Sequence, residues 1–248
     1  MENNEIKFAK ILEDIKYDAR SRGGFVSEEE VYEAFEDMDL SKEQFELVLE
    51  YLKNNKIGIG APLDDKDILS SEERDILSDY KMELDLIDSL SEGEKEALVM
   101  AAMNNESFAF DKLITFYLPK VLEIAKLYSD QGVSIEDLIG EGNLAVAEGV
   151  TMLGALENPS EADGMIIKLI MDAMEDSIRE SFDESSKDNK IADKVNKVAG
   201  EAKKLSEEIG RKVTVDELVS STSLSKKAVI EAVKLSGNKI EDIEYSEE

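Results

Sequence analysis

Residues 112–147 read KLITFYLPKVLEIAKLYSDQGVSIEDLIGEGNLAVA. Leu113, Tyr117, Val121, Ile124 and Tyr128 recur at three- and four-residue intervals, which puts them on one stripe of a helix spanning about 109–130. Past Gly132, Ser134 stands where an N-cap belongs, ahead of a second helix that opens Ile135-Glu136-Asp137. On that helix Asp137 and Glu141 lie four residues apart and share a face. Two adjacent helices with apolar stripes make this block the centre of a helical fold.

The pattern continues outward in both directions. Asn158-Pro159-Ser160 breaks the chain, and a further helix at about 161–182 carries Ile167, Ile170, Met174, Ile178 and Phe182 on one face. Near the N-terminus, Phe8, Ile11, Leu12 and Ile15 form another helical stripe, ended by Arg22-Gly23-Gly24. Ser27 with Glu30, and Ser41 with Gln44, have the spacing of capping boxes and open a second and a third helix. Ile57-Gly58-Ile59-Gly60 then reads as a short extended segment. Residues 61–81 are polar and acidic and read as a linker, with at most transient helix. Downstream, helices are expected at about 191–209, 214–221 and 225–236, with Thr214 and Glu217 as a capping box and Ser225 as an N-cap. The last two have the spacing of a helix-turn-helix pair. The expected fold is all-α. It comprises an acidic N-terminal three-helix domain (1–60), the linker (61–81), a central helical domain (82–186), a C-terminal three-helix domain (187–240) and an acidic tail (241–248).

Composition narrows the functions open to the chain. It has 248 residues, with 29 Lys and Arg against 58 Asp and Glu, a net charge of −29. Nucleic-acid binders need a basic face, so binding DNA with the whole surface is excluded. The charge is unevenly spread: residues 1–186 carry −28, whereas residues 187–239 hold 12 basic against 8 acidic residues, a net of +4. With no Cys and no His, there is no disulfide, no thiolate or imidazole metal ligand, and no Ser-His catalysis. No carboxylate pair stands out among so many acids, so no enzyme is expected, and no cofactor. Asp64, Asp65 and Asp67 lack the glycine and terminal Glu of a calcium loop. With no apolar run long enough to span a bilayer and no signal peptide, a cytoplasmic protein is expected, without membrane contact.

The residues of the central block also resemble the second region of bacterial RNA polymerase sigma factors of the primary, sigma-70 family. That region shows Leu-x-x-x-x-Leu-x-x-Val-x-x-Ile-Ala-x-x-Tyr, a Gly, and then Asp-Leu-Ile-x-Glu-Gly-Asn. The corresponding positions here are Leu113, Leu118, Val121, Ile124, Ala125, Tyr128, Gly132, Asp137, Leu138, Ile139, Glu141, Gly142 and Asn143. Residues 191–240 are similar to the family's third region, and residues 5–60 to the acidic N-terminal region of primary sigma factors, which is autoinhibitory there. No stretch corresponds to the fourth region. The resemblance implies that Leu118, Val121, Asp137, Leu138, Ile139, Glu141 and Asn143 bind core RNA polymerase, at a coiled coil on its largest subunit. Two positions depart from the pattern: Gly140 replaces the usual Gln, and Ala147 a large apolar residue.

The departures concentrate where the family opens promoter DNA with aromatic and basic side chains. Lys168 and Leu169 stand in place of paired tryptophans, Met165 in place of a Tyr and Ala162 in place of a Phe. Residues 129–186 hold two basic residues, Lys168 and Arg179, against fourteen acidic ones. Each lost base stack removes roughly 1–3 kcal/mol. The reading is therefore a sigma-like factor that binds core polymerase and acts in transcription initiation or its regulation, with promoter −10 recognition weakened or lost. An alternative is a divergent sigma factor that still reaches promoter DNA, with a partner protein supplying the fourth region. Lys203, Lys204, Arg211, Lys212, Lys226, Lys227 and Lys234 are then the candidate DNA contacts. A second alternative is a helical interaction module unrelated to polymerase.

Overall fold

The computed structural model describes residues 2–86 and 90–245. It is all-α, with eleven α-helices among those residues and four two-residue strands. The chain divides into two units, Met1–Arg179 and Glu180–Glu248.

In the first unit, α1 (Glu2–Ser21), α2 (Glu28–Ala34) and α3 (Lys42–Asn54) form the N-terminal body. Ser27 and Ser41 cap α2 and α3, and the expected capping boxes with Glu30 and Gln44 are present. The segments either side of the helical pair meet as a parallel ladder, β1 (Phe25–Val26) against β2 (Gly58–Ile59). Ile15, Ala19, Val31, Phe35, Val48 and Leu52 fill the core between the helices.

The stretch expected as a linker is folded. It forms α4 (Asp65–Ile68) and α5 (Ser71–Leu84), and Ile68, Leu69 and Leu77 are buried against the central helices. Ser70 and Glu73 make a full capping box at the head of α5, which supplies the start signal. Then α6 (Glu92–Met103), α7 (Phe108–Tyr128), α8 (Ile135–Met152) and the first part of α9 (Ala162–Ile209) enclose the largest core. Pro119 lies inside α7 and removes one amide donor there. The helix continues through it because Tyr117, Val121 and Ile124 are buried on either side.

Helix α9 is continuous from Ala162 to Ile209, so the expected gap between helices near 182–191 is absent. No Pro interrupts residues 182–191, and no Gly lies among them. Phe182, expected on the apolar stripe, is 72% exposed. The stripe ends at Ile178, and Phe182 lies in the polar run SFDESSKDNK.

The second unit contains the remainder of α9, β3 (Val213–Thr214), α10 (Val215–Ser221), α11 (Lys226–Leu235) and β4 (Ile243–Glu244). Thr214 and Ser225 cap α10 and α11 as expected. The expected acidic tail is amended over residues 241–245. Strand β4 pairs in parallel with β3, and Ile240 and Ile243 are buried beside Val213, Leu218 and Val229. Residues 246–248 lie outside the described residues.

Candidate protein-binding face

Helix α8 is where the sequence places the candidate site. Its buried side carries Ile135, Leu138, Ile139, Val146 and Val150, each no more than 1% exposed. Burying one such side chain stabilises the fold by about 1.5–3 kcal/mol, which holds the helix orientation firmly. Two glycines bring the helix close to its neighbours. A Cβ on Gly142 would stand 2.6 Å from Val121 Cγ1 and 2.7 Å from Met174 Cε, and one on Gly149 would stand 2.7 Å from Ile166 Cδ1. Ser134 accepts from the Asp137 amide at 3.1 Å and donates to Asp137 Oδ2 at 2.7 Å, which fixes the first turn.

The opposite side is bare. Asp137, Gly140, Glu141, Leu144, Glu148 and Met152 are all exposed. Asp137, Glu141, Leu144 and Glu148 follow one another at i, i+4, i+7 and i+11, a single stripe. Leu144 is 61% exposed and Met152 50%. The helix carries no Lys or Arg. Neither Asp137 nor Glu141 is ion-paired among the described residues. Asn143 is half-buried at the edge of the stripe, three residues beyond Gly140.

The seven expected polymerase-contacting residues thus fall into two sets. Asp137 and Glu141 reach solvent together, with Asn143 and Leu118 half-buried. Val121, Leu138 and Ile139 are core residues, at most 1% exposed, so they shape the face and do not reach a partner. Leu144, Glu148 and Met152 belong to the exposed side but not to the motif; their helical spacing from Asp137 is the signal that could have found them.

A second polar assembly ties the N-terminal body to the central helices. Arg20, 6% exposed, stacks its guanidinium 4.2 Å from the centre of the Tyr128 ring and reaches Glu175 Oε1 at 3.4 Å. The Tyr128 hydroxyl donates to the same carboxylate oxygen at 2.7 Å. Burial pushes the Tyr128 phenol well above its usual range, against the pull of Arg20. Lys56 Nζ donates to Ile68 O (2.9 Å), Ser129 O (2.7 Å) and Ser129 Oγ (2.6 Å). Burial lowers the Lys56 pKa, since its partners are neutral oxygens. Tyr117 and Lys95 both donate to Asp163, joining α6, α7 and α9. Burial pushes the Asp163 pKa up, but those two hydrogen bonds together with the charges of Lys95 and Lys120 outweigh it and leave the carboxyl lower than usual.

The positions that correspond to the promoter-opening aromatics of sigma factors are otherwise engaged. Ala162 is buried, Met165 and Leu169 are half-buried, and Lys168 pairs with Asp172 at 2.8 Å while lying 5.8 Å from the Tyr17 ring centre. In the second unit, three of the seven candidate DNA contacts are spent on local acids: Lys204 on Glu201, Arg211 on Glu217 and Lys226 on Asp216. Lys203, Lys212, Lys227 and Lys234 are exposed and form no ion pair among the described residues. No group of three or more acidic residues among those described is placed to hold a metal, and no described helix is long and apolar enough to cross a membrane.

No protein-family model matches the chain. It is similar to the RNA polymerase sigma factor SigA of Clostridium acetobutylicum, with 28% identity over 160 residues, covering 60% of this chain and 41% of that protein. The chain is thus distantly related to a bacterial sigma factor, and it spans less than half the length of that relative.

Proposed function

We propose that the chain is a sigma-like transcription protein. It binds core RNA polymerase through the exposed face of α8 and acts in transcription initiation or its regulation, without reading the −10 element itself. The observation that carries this reading is the bare stripe of Asp137, Glu141 and Leu144 on a helix with no cation of its own. It coincides with the Asp-Leu-Ile-x-Glu-Gly-Asn order that binds the polymerase coiled coil in sigma factors. An acidic stripe around an exposed leucine suits a basic, amphipathic partner helix. The engaged or apolar side chains at 162, 165, 168 and 169 support the loss of base capture, since none offers a free ring for stacking.

The test is retention of core polymerase by the immobilised chain, with wild type compared against Asp137→Asn/Glu141→Gln. Central interface residues commonly contribute more than ~1 kcal/mol each, so the double change is expected to weaken binding by roughly tenfold or more. The amide variants are preferred to alanine because an asparagine side chain at position 137 can still accept from Ser134. Wild type that fails to bind, under salt conditions where a sigma factor binds, overturns the proposal in favour of a helical module with another partner.

The four lysines without ion pairs, Lys203, Lys212, Lys227 and Lys234, favour a second reading, in which promoter DNA is still reached with help from a partner protein. Promoter-directed transcription by the reconstituted complex separates the two. Under the first reading the chain lowers or redirects initiation by another factor; under the second, it supports initiation that is lost when these lysines become Gln.

A further inference from the structure

We propose that the N-terminal body braces the corner between α7 and α8, with Arg20 and Lys56 as positioning residues for the first turn of α8 and its Asp137. This rests on the polymerase-binding reading and deepens it. The role differs from the autoinhibition that the resemblance to sigma factors implies for residues 5–60.

The end of α7 is gripped at four consecutive residues, each from outside the helix. Lys126 pairs with Asp65 of α4 at 3.1 Å. Leu127 packs onto Gly24, where a Cβ would stand 2.6 Å from Leu127 Cδ2. Tyr128 lies under the Arg20 guanidinium, 4.2 Å from the ring centre. Ser129 accepts from Lys56 Nζ through its carbonyl at 2.7 Å and its hydroxyl at 2.6 Å. Gly24, Arg20 and Lys56 all belong to the N-terminal body, and they are coupled there. Arg20 stands in the last turn of α1, and the Gly58 amide, two residues past Lys56, donates to Gly24 O at 2.8 Å. Leu127, Tyr128 and Ser129 are at most 6% exposed, so water cannot readily replace these contacts. Lys56 also keeps a left-handed backbone, φ 62°, which non-glycine residues seldom adopt. Its placement therefore follows its contacts and not its own backbone preference.

The corner beyond this grip is short. Asp130 (φ 62°) and Gly132 (φ 87°) turn the chain, and Ser134 caps α8 five residues past Ser129. The Ser134 hydroxyl accepts from the Asp137 amide and donates to its carboxylate, and Ser134 O accepts from the Leu138 amide. A displacement of Ser129 thus reaches Asp137 through one tight turn and one cap. The later turns of α8 are held by their own buried side, so the brace bears on the first turn alone. At the middle of α7, Tyr117 bonds to Asp163 of α9, a tie of the same kind that is remote from this corner.

The experiment uses the full chain and its Arg20→Met, Lys56→Met, Lys56→Arg and Tyr117→Phe variants, each confirmed as folded by its thermal melt. Amide hydrogen exchange is read at Asp137 and Leu138, and Kd is measured for core RNA polymerase. Both Met variants are expected to exchange about tenfold faster at these two amides, with those of Val146 and Val150 unchanged. Tyr117→Phe should leave Asp137 and Leu138 unchanged. Polymerase binding should weaken about threefold or more in the Met variants and recover in Lys56→Arg, which restores a cationic donor. Unchanged exchange in the Met variants, or equal acceleration in Tyr117→Phe, overturns the brace. Faster exchange with undiminished polymerase binding overturns the positioning role. Wild type that fails to bind polymerase removes the polymerase reading, while the exchange result still decides whether the corner is braced.

Discussion

Two glycines separated by one residue are predicted to respond oppositely to the same substitution. Gly140→Ala adds a methyl group that meets nothing within 4 Å. Replacing a mid-helix glycine by alanine should then stabilise the first unit by about 0.5–1 kcal/mol. Gly142→Ala gains the same helical term but sets its methyl 2.6 Å from Val121 Cγ1 and 2.7 Å from Met174 Cε. Ordinary carbon contacts lie near ~3.5–4.0 Å, so about 1 Å must be found. The Met174 methyl is the end of a flexible chain and can move. Val121 is β-branched, stiff at χ1 and fully buried, so relief there requires α7 and α8 to separate. Overpacking of this kind costs about 1–3 kcal/mol, so after the helical gain the net destabilisation is about 1 kcal/mol at mid-range. For a unit of this size 1 kcal/mol moves Tm by about 2–4 °C. Calorimetry should therefore show Gly140→Ala melting above wild type and Gly142→Ala below it. Shifts of the same sign in both variants would refute the packing of α8 against Val121 described above.

Other substitutions test the polar ties. Lys56→Met should destabilise the first unit by about 1–3 kcal/mol in urea titrations, since Ser129 O loses the Lys56 donor and Ile68 O keeps only the Ser129 hydroxyl. No change would mean that Lys56 does not join the N-terminal body to α4 and α7. In the second unit, Arg211, followed by the Thr214 amide, holds the Glu217 pKa down to about 2 from 4.5. A depressed carboxyl contributes stability above its unfolded value that is lost as pH falls through the folded one, so the loss is expected between about pH 4.5 and 2. NMR titration of the Glu217 carboxyl should place it near 2, and Arg211→Met should move it upward; an unmoved midpoint would contradict the Arg211 pairing. Phe182→Ser should leave thermal stability within about 0.5 kcal/mol of wild type, as expected at an exposed position.

The parts of the fold legible in the sequence are those set by short-range chemistry. Ser27, Ser41, Ser134, Thr214 and Ser225 each cap a helix where the spacing placed a cap, because a hydroxyl and an amide three residues apart need nothing else. The stripes of α7 and α8 are visible for the same reason. Helix α5 was hidden: its capping box and Leu77 sit among acids that read as a linker. The contacts of Arg20 with Glu175 and of Lys56 with Ser129 join residues 155 and 73 positions apart, and no local pattern encodes such a pairing. The burial of Ile240 and Ile243 likewise depends on the distant partner Val213. At the candidate site, the motif marked α8 but not which of its residues face outward. Helical phase separates Asp137, Glu141 and Leu144 from the core residues Leu138 and Ile139.

The central claim is that the α8 face occupies the site on core RNA polymerase that a sigma factor uses. Competition tests it most directly: a fluorescently labelled sigma factor bound to core polymerase is titrated with the intact chain and with its Asp137→Asn/Glu141→Gln variant. Displacement by wild type, requiring about tenfold or more of the variant to match it, is the predicted result. A labelled sigma factor that stays bound at saturating wild-type chain, or that is displaced equally by both proteins, would contradict it.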